Sequence, residues 1–144
     1  MEITDFVIRL LAATAAGGLV GLERQWNNKS AGLRTNTLVA VGSCIFVLIN
    51  LILTEKQGDP TRIIGQIITG IGFLGAGVIL HTGSGVHGLT TAATIWCSAA
   101  LGCVAGLGYF PETAVCTVLI LIINIALKKA DLWFSFEKNK VKKE

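Results

Sequence analysis

From Ile63 to Pro111 the sequence reads IIGQIITGIGFLGAGVILHTGSGVHGLTTAATIWCSAALGCVAGLGYFP, 49 residues without one Asp, Glu, Lys or Arg. A helix rises about 1.5 Å per residue, so about 20 apolar residues cross the roughly 30 Å hydrocarbon core of a bilayer, and a run this long crosses it twice. The middle of the run, His81-Thr82-Gly83-Ser84-Gly85-Val86-His87-Gly88, is polar and rich in glycine, a tight-turn composition that divides it. Two more charge-free runs flank it, Thr35 to Thr54 with 20 residues and Thr113 to Leu127 with 15. Backbone polar groups in lipid have to be satisfied within the segment, so helices are the expected form of all these runs.

Composition agrees with that reading. Of 144 residues, 52% are hydrophobic and 15% charged, and the mean hydropathy is +0.67, too little charge to cover the surface of a soluble domain. The expected fold is all-α: a polytopic transmembrane helix bundle of about five spans, at about 6–22, 33–53, 63–80, 89–107 and 113–127, in a domain of residues 1–130. The fifth span is the shortest, and an interfacial helix is its alternative. The first is preceded by Met1-Glu2-Ile3-Thr4-Asp5, which carries acids where a signal peptide carries Lys or Arg, so it is expected to be retained.

Cation placement sets an expected orientation. With five spans, Arg24, Lys29, Arg34 and the lysines at 128, 129, 138, 140, 142 and 143 share one side, nine in all, against Arg9, Lys56 and Arg62 on the other. Nine against three puts the N-terminus outside and the C-terminus in the cytoplasm. Residues 131–144 interleave Trp133, Phe134 and Phe136 with lysines, which suits a membrane-surface anchor better than a partner site. A tail tethered to the bilayer makes nucleic acid an improbable partner.

Little in the sequence suggests chemistry. Cys44, Cys97, Cys103 and Cys116 all fall inside expected spans without a C-x-x-C pair and read as small apolar packing residues. His81 and His87 bracket the glycine-rich turn with no third ligand near in sequence, and the turn lacks the lysine of a phosphate-cradling loop. No nucleophile–base arrangement is present, so the chain is read as no enzyme, with no catalytic residue, metal or cofactor expected.

What remains is packing and a few polar groups. Ala13, Gly17 and Gly21 share a face of the first span, and Gly102 and Gly106 a face of the fourth. In lipid such small-residue faces let backbones approach and gain dispersion contact. The third span, with Gly65, Gly70, Gly72, Gly75 and Gly77, inserts weakly by itself and is expected to be surrounded by other helices; a dimer face or a moving element is the alternative. Asp59 and Pro60 suit the cap and first position of that helix, which leaves Arg62 unexplained. Arg9 lies one turn inside the first span, where it either snorkels or pairs with Asp59. Glu23 and Arg24 close the first span and Arg34 opens the second, an arrangement that brings Glu23 and Arg34 to one rim if the helices form a hairpin. Gln66, Thr69, Thr90, Thr91, Thr94 and Asn124 are uncharged groups able to hydrogen-bond between helices, and no continuous acidic track for ions is visible.

The segments Gly21-Leu22-Glu23-Arg24-Gln25-Trp26, Ala31-Gly32-Leu33-Arg34-Thr35, Asp59-Pro60-x-Arg62-Ile63 with Gln66, Gly70-Ile71-Gly72-Phe73-Leu74-Gly75-Ala76-Gly77-Val78-Ile79 and Gly88-Leu89-Thr90-Thr91-Ala92-Ala93-Thr94-Ile95-Trp96 stand in an order and spacing that resembles the MgtC/SapB family of bacterial inner-membrane proteins. The likeness covers most of the chain up to about Lys129. It implies a multi-pass protein of the bacterial inner (plasma) membrane linked to low-magnesium adaptation, virulence and survival in macrophages. The implied action is regulatory, by binding and restraining the membrane sector of the F-type ATP synthase. The alternative is an ion transporter or channel, for magnesium or another cation, acting as an oligomer along Asp59, Arg62, Gln66 and the third span. A homo-oligomer is expected, with a dimer favoured. Longer members continue into a soluble cytoplasmic domain, so the expectation is confined to the transmembrane part. Thr90 stands where one branch has Asn, and partner specificity is not carried over at that position.

Overall fold

Five helices account for nearly all of the described chain. The computed structural model describes residues 1–54, 59–82 and 85–141, with side chains described except at 60, 82 and 129–141. Helix α1 runs Ile3–Trp26, α2 Leu33–Thr54, α3 Pro60–Val78, α4 Leu89–Leu107 and α5 Phe110–Val141; between α3 and α4 lie strands β1 (Leu80–Thr82) and β2 (Gly85–His87). Each helix contains an apolar segment long enough to cross a membrane, 18 residues in α3 and 19 to 24 in the others. The chain is an all-α, five-span membrane protein. The fifth apolar segment, Phe110–Lys128, has 19 residues, four more than its charge-free core: three from the earlier start at Phe110 and one, Lys128, at its end.

The bundle is built around α4, more than half of whose span is buried; the fraction falls to 11% for α3 and α5. Helices α1 and α2 form a hairpin closed by the loop at 27–32. They approach closely because Gly17 and Gly21 carry no side chain: a Cβ at Gly17 would lie 2.7 Å from the Asn36 carbonyl oxygen, and one at Gly21 2.7 Å from Leu33 Cα. Helix α4 lies against both, with Gly106 beside Val47 and the Cys44 carbonyl. Ala13, Cys44, Leu48 and Ala105 form the core at the end near Arg9, and Ala16, Val20 and Leu101 continue it.

Outside this core the surface is apolar. Phe73 is 81% exposed, Leu53 77% and Val115 68%, in a chain whose buried set includes Arg24, Asn36 and Ser98. Polar inside and apolar outside is the arrangement of a bundle solvated by lipid, since a soluble protein rarely exposes so large an apolar area.

One expectation is corrected here. Helix α3 is not surrounded by the other helices: it lies at the edge, burying only Ile67 and Ile71, against α4 and α2. A Cβ at Gly65, Gly70, Gly72 or Gly77 would meet nothing within 4 Å, and one at Gly75 would reach only Ala92 Cβ, at 3.7 Å. The three-helix unit α1–α2–α4 fills its own interior with small-residue contacts and leaves no central slot for a further helix.

The turn after α3 is a two-stranded ribbon, with Leu80 opposite His87, His81 opposite Val86 and Thr82 opposite Gly85. Gly88, at φ +90°, then turns the chain into α4; a Cβ there would lie 2.0 Å from the Val78 carbonyl oxygen, so both backbone angle and space demand glycine. The aromatic and lysine side chains of the tail lie outside the described residues; the backbone of α5 continues through it to Val141.

Candidate functional site

At the end of the bundle where α1 finishes and α4 begins, Arg24 is bonded to two threonines of α4 and to a backbone carbonyl of the 27–32 loop. The residue as a whole is 2% exposed. Nε donates to the Ala31 carbonyl at 2.9 Å, one terminal nitrogen to Thr94 Oγ1 at 3.0 Å and the other to Thr91 Oγ1 at 2.6 Å. All three acceptors are neutral, and among the described residues no carboxylate lies within ion-pair distance of Arg24. The Ala31 carbonyl also accepts from Asn36 Nδ2 at 2.9 Å, which uses both of its lone pairs. Asn36 in turn accepts from Ser98 Oγ at 2.8 Å. The fork of Arg24 thereby ties the 27–32 loop to the first two turns of α4, and Asn36 ties α2 to the next turn.

Beside this network lies a cavity of about 250 Å³, walled by Glu23, Arg24, Lys29, Thr90, Asn124 and Lys128 and completed by Ile123 and Leu127. Glu23 does not pair with Arg34, as the hairpin alone had suggested. Its carboxylate accepts from Asn27 Nδ2 at 2.6 Å and from Asn124 Nδ2 at 3.3 Å. The reason is register: Glu23 is turned toward α5, while Arg34 and Thr35 sit exposed on the first turn of α2. Lys128 donates to the Asn27 side-chain carbonyl.

The opposite end has its own cation. Arg9 does not pair with Asp59. It makes a bidentate contact with Asp5 one turn before it, Nε to Oδ1 at 3.0 Å and a terminal nitrogen to Oδ2 at 2.9 Å. Its other terminal nitrogen donates to the Gly106 carbonyl at 2.8 Å, in the last turn of α4, where carbonyls lack helical partners. Asp59 is exposed and caps α3, accepting from the amide of Thr61 at 2.9 Å and from its hydroxyl. Those two bonds hold the Asp59 carboxylate below the usual range.

Arg62 and Gln66 follow on the exposed side of α3, and Thr69 bonds only its own helix, to the Gly65 carbonyl. The structure therefore does not bring Asp59, Arg62 and Gln66 together with Arg24, Thr90 and Thr91. Gln66 instead lines an apolar groove of about 520 Å³ between α2 and α3, with Ser43, Phe46, Ile67, Gly70 and Leu74 among its walls. Among the described residues no three His, Cys, Asp or Glu gather in a metal-binding group.

Sequence reasoning named Thr91, Thr94 and Asn124 as hydrogen-bonding groups but did not single out Asn36, Ser98, Asn27 or Lys29. A signal for two of them was present. Thr91, Ser98, Gly102 and Gly106 recur at helical spacing, so Ser98 shares the small-residue face of α4, and Asn36 stands four residues before buried Ala40.

Comparison with known proteins covers nearly the whole chain. The model of the MgtC family matches residues 10–133. An uncharacterised protein of Synechocystis sp. is 50% identical over 128 residues, 89% of this chain and 54% of its own length. Protein MgtC of Salmonella typhimurium is 50% identical over 130 residues, 90% of this chain and 55% of its own. Protein MgtC of Brucella abortus is 51% identical over 119 residues, 83% and 50% respectively. The chain thus spans about half the length of the curated relatives it matches. No solved structure matches.

Proposed function

The chain belongs to the MgtC family, and from that premise we propose that it is a non-enzymatic regulatory protein of the bacterial inner membrane, acting in low-magnesium adaptation and virulence by binding another integral membrane protein. The membrane sector of the F-type ATP synthase is the partner this reading favours, with the N-terminus of the chain outside and its C-terminus in the cytoplasm. A homo-oligomer, with a dimer favoured, belongs to the same reading.

One observation carries the reading: α3 offers an uncovered face beside a bundle whose Arg24, Asn36 and Ser98 are engaged internally. Arg24, Asn36 and Ser98 are hydrogen-bonded to one another's segments across α1, α2 and α4. Helix α3 presents Gly70, Gly72 and Gly77 with open space above each, next to the apolar groove it forms with α2. Glycines on a lipid-facing helix lower the cost of seating a second helix at short range. The amide of Gln66 on the same groove is a group that lipid cannot satisfy and another helix can.

A photo-crosslinking amino acid at Phe73, 81% exposed on α3, tests this in intact membranes. Adducts to a specific integral protein are expected, together with slower proton-driven ATP synthesis in vesicles that carry the chain. Adducts to lipid alone, with unchanged ATP synthesis, would overturn the reading. Cation flux through the purified chain in liposomes, abolished by Asp59→Asn, would replace it with transport.

A further inference from the structure

We propose that the cavity between the ends of α1, α4 and α5 is a phosphate-binding site, for the headgroup of an anionic phospholipid or for free phosphate, held by Arg24, Lys29 and Lys128 with Thr90 and Asn124.

The argument begins with a charge imbalance. Arg24 is a residue only 2% exposed, and a buried guanidinium normally faces an anion, because an uncompensated charge out of water is costly. Arg24 has three hydrogen bonds, all to neutral acceptors, and among the described residues no carboxylate, Glu23 of the same cavity included, forms an ion pair with it. Its surroundings add to the imbalance. The hydroxyls it reaches belong to the first two turns of α4, and the start of that helix carries the positive end of the dipole. Gly88 provides no side-chain cap, so the leading amides of α4 have no side-chain acceptor from that position. Lys29 and Lys128 line the same cavity. Lys29 makes no side-chain bond among the described residues, and Lys128 touches only a neutral carbonyl. Against three cations there is one carboxylate, Glu23, already engaged by two amides.

Shape narrows the ligand. At about 250 Å³ the cavity lies below the roughly 300–1,000 Å³ of sites for drug-sized molecules, so it suits a compact anion. Its outer wall is Ile123 and Leu127, which are 46% and 58% exposed on the lipid side of α5. A phosphate seated on the cations leaves an acyl chain free to run along those two residues. Tetrahedral oxygens suit several separate donors, here ammonium groups, an amide and a hydroxyl.

The test uses the full chain, delipidated in a neutral detergent without phosphate. Native mass spectrometry is read with phosphatidylglycerol and, as control, diacylglycerol; thermal unfolding is read with inorganic phosphate. One tightly held phosphatidylglycerol is expected, bound at least about tenfold more weakly by the Lys29→Gln/Lys128→Gln double variant and unchanged by Arg62→Gln at the far end. Circular dichroism checks that the double variant remains helical. Stabilisation by inorganic phosphate, lost in the same double variant and competing with the lipid, assigns the site to the free anion. Lipid binding without it assigns the site to the headgroup. Equal retention of diacylglycerol, equal affinity of the double variant, or no response to either phosphate source overturns the proposal.

Discussion

A Cβ placed on Gly102 of α4 would lie 2.0 Å from the carbonyl oxygen of Ala40 in α2 and 2.8 Å from the carbon that bears it. The two helices therefore touch backbone to backbone at this level, and the obstructing atoms belong to a helix that cannot rotate away. Overpacking a well-filled interior costs about 1–3 kcal/mol, and here relief requires moving a whole helix. Gly102→Ala is expected to lose at least about 3 kcal/mol, and Gly102→Val to abolish the folded state. Unfolding in mixed micelles and the yield of monodisperse protein measure both.

The glycines of α3 behave differently. Since nothing lies within 4 Å of a Cβ at Gly70, Gly70→Ala is expected to leave the fold of a single chain intact and to stabilise α3 by about 1 kcal/mol through helix propensity. Gly70→Leu fills the groove that Gly70 lines and should remove the crosslink from Phe73 to a partner without loss of folded protein. A folding defect in either variant would mean that the Gly70 side of α3, and not only Ile67 and Ile71, packs against this chain's own helices.

Arg24 gives a graded series. Thr91→Val removes the acceptor at 2.6 Å and leaves one face of a buried guanidinium unsatisfied. Loss of a hydrogen bond to a charged group costs about 1.5–3 kcal/mol, and Thr91→Ser should recover most of it. Arg24→Lys keeps the charge but cannot reach Ala31, Thr91 and Thr94 together, so it is expected to destabilise by at least as much as Thr91→Val. Equal stability of Arg24→Lys and the parent chain would show that charge, and not the planar fork, is what this position requires.

Asn36 and Ser98 are both fully buried, and the hydroxyl of Ser98 donates to the Asn36 side-chain oxygen at 2.8 Å. Ser98→Ala should cost about 1 kcal/mol. Asn36→Ala should cost more, because it also removes the second hydrogen bond to each of the Ala31 and Gly32 carbonyls, which keep those from Arg24 Nε and the residue 36 amide. In the double variant the losses are expected to fall short of additive by at least about 0.5 kcal/mol, the signature of direct contact in a double-mutant cycle.

These expectations divide into those legible in the sequence and those that needed coordinates. Span number followed from charge-free runs, because the cost of ionised groups in lipid acts on each segment alone. Every observed helix overlaps its expected span, with α1 starting three residues earlier at Ile3 and reaching Trp26 through Glu23 and Arg24, which the charge-free criterion excluded. Pairing was harder to read. Arg9 has an acid one turn away at Asp5, an i, i+4 partner needing no tertiary knowledge, whereas snorkelling and pairing with Asp59 at the outer rim, the two readings the sequence suggests, both pass it over. Glu23 and Arg24 are adjacent in sequence and 100° apart on a helix, so one turns to α5 and the other to α4. Which goes where depends on helix rotation, and that is fixed by Gly17 and Gly21 against α2.

The Arg9 contacts can be separated by charge. Asp5 is 40% exposed, and a pair of that kind contributes about 0–1 kcal/mol, so Asp5→Asn should shift stability little. The bond from Arg9 to the Gly106 carbonyl is different, since it joins α1 to the last turn of α4 and complements the negative end of that helix. Arg9→Met is therefore expected to cost about 1.5–3 kcal/mol, several times the effect of Asp5→Asn. Exchanging the charges, Asp5→Arg with Arg9→Asp, restores the ion pair but puts an acceptor beside the Gly106 carbonyl, so rescue should be incomplete. Asp59→Asn should leave the response of Arg9→Met unchanged, whereas coupling between positions 9 and 59 in a double-mutant cycle would place the partner of Arg9 at the start of α3 after all.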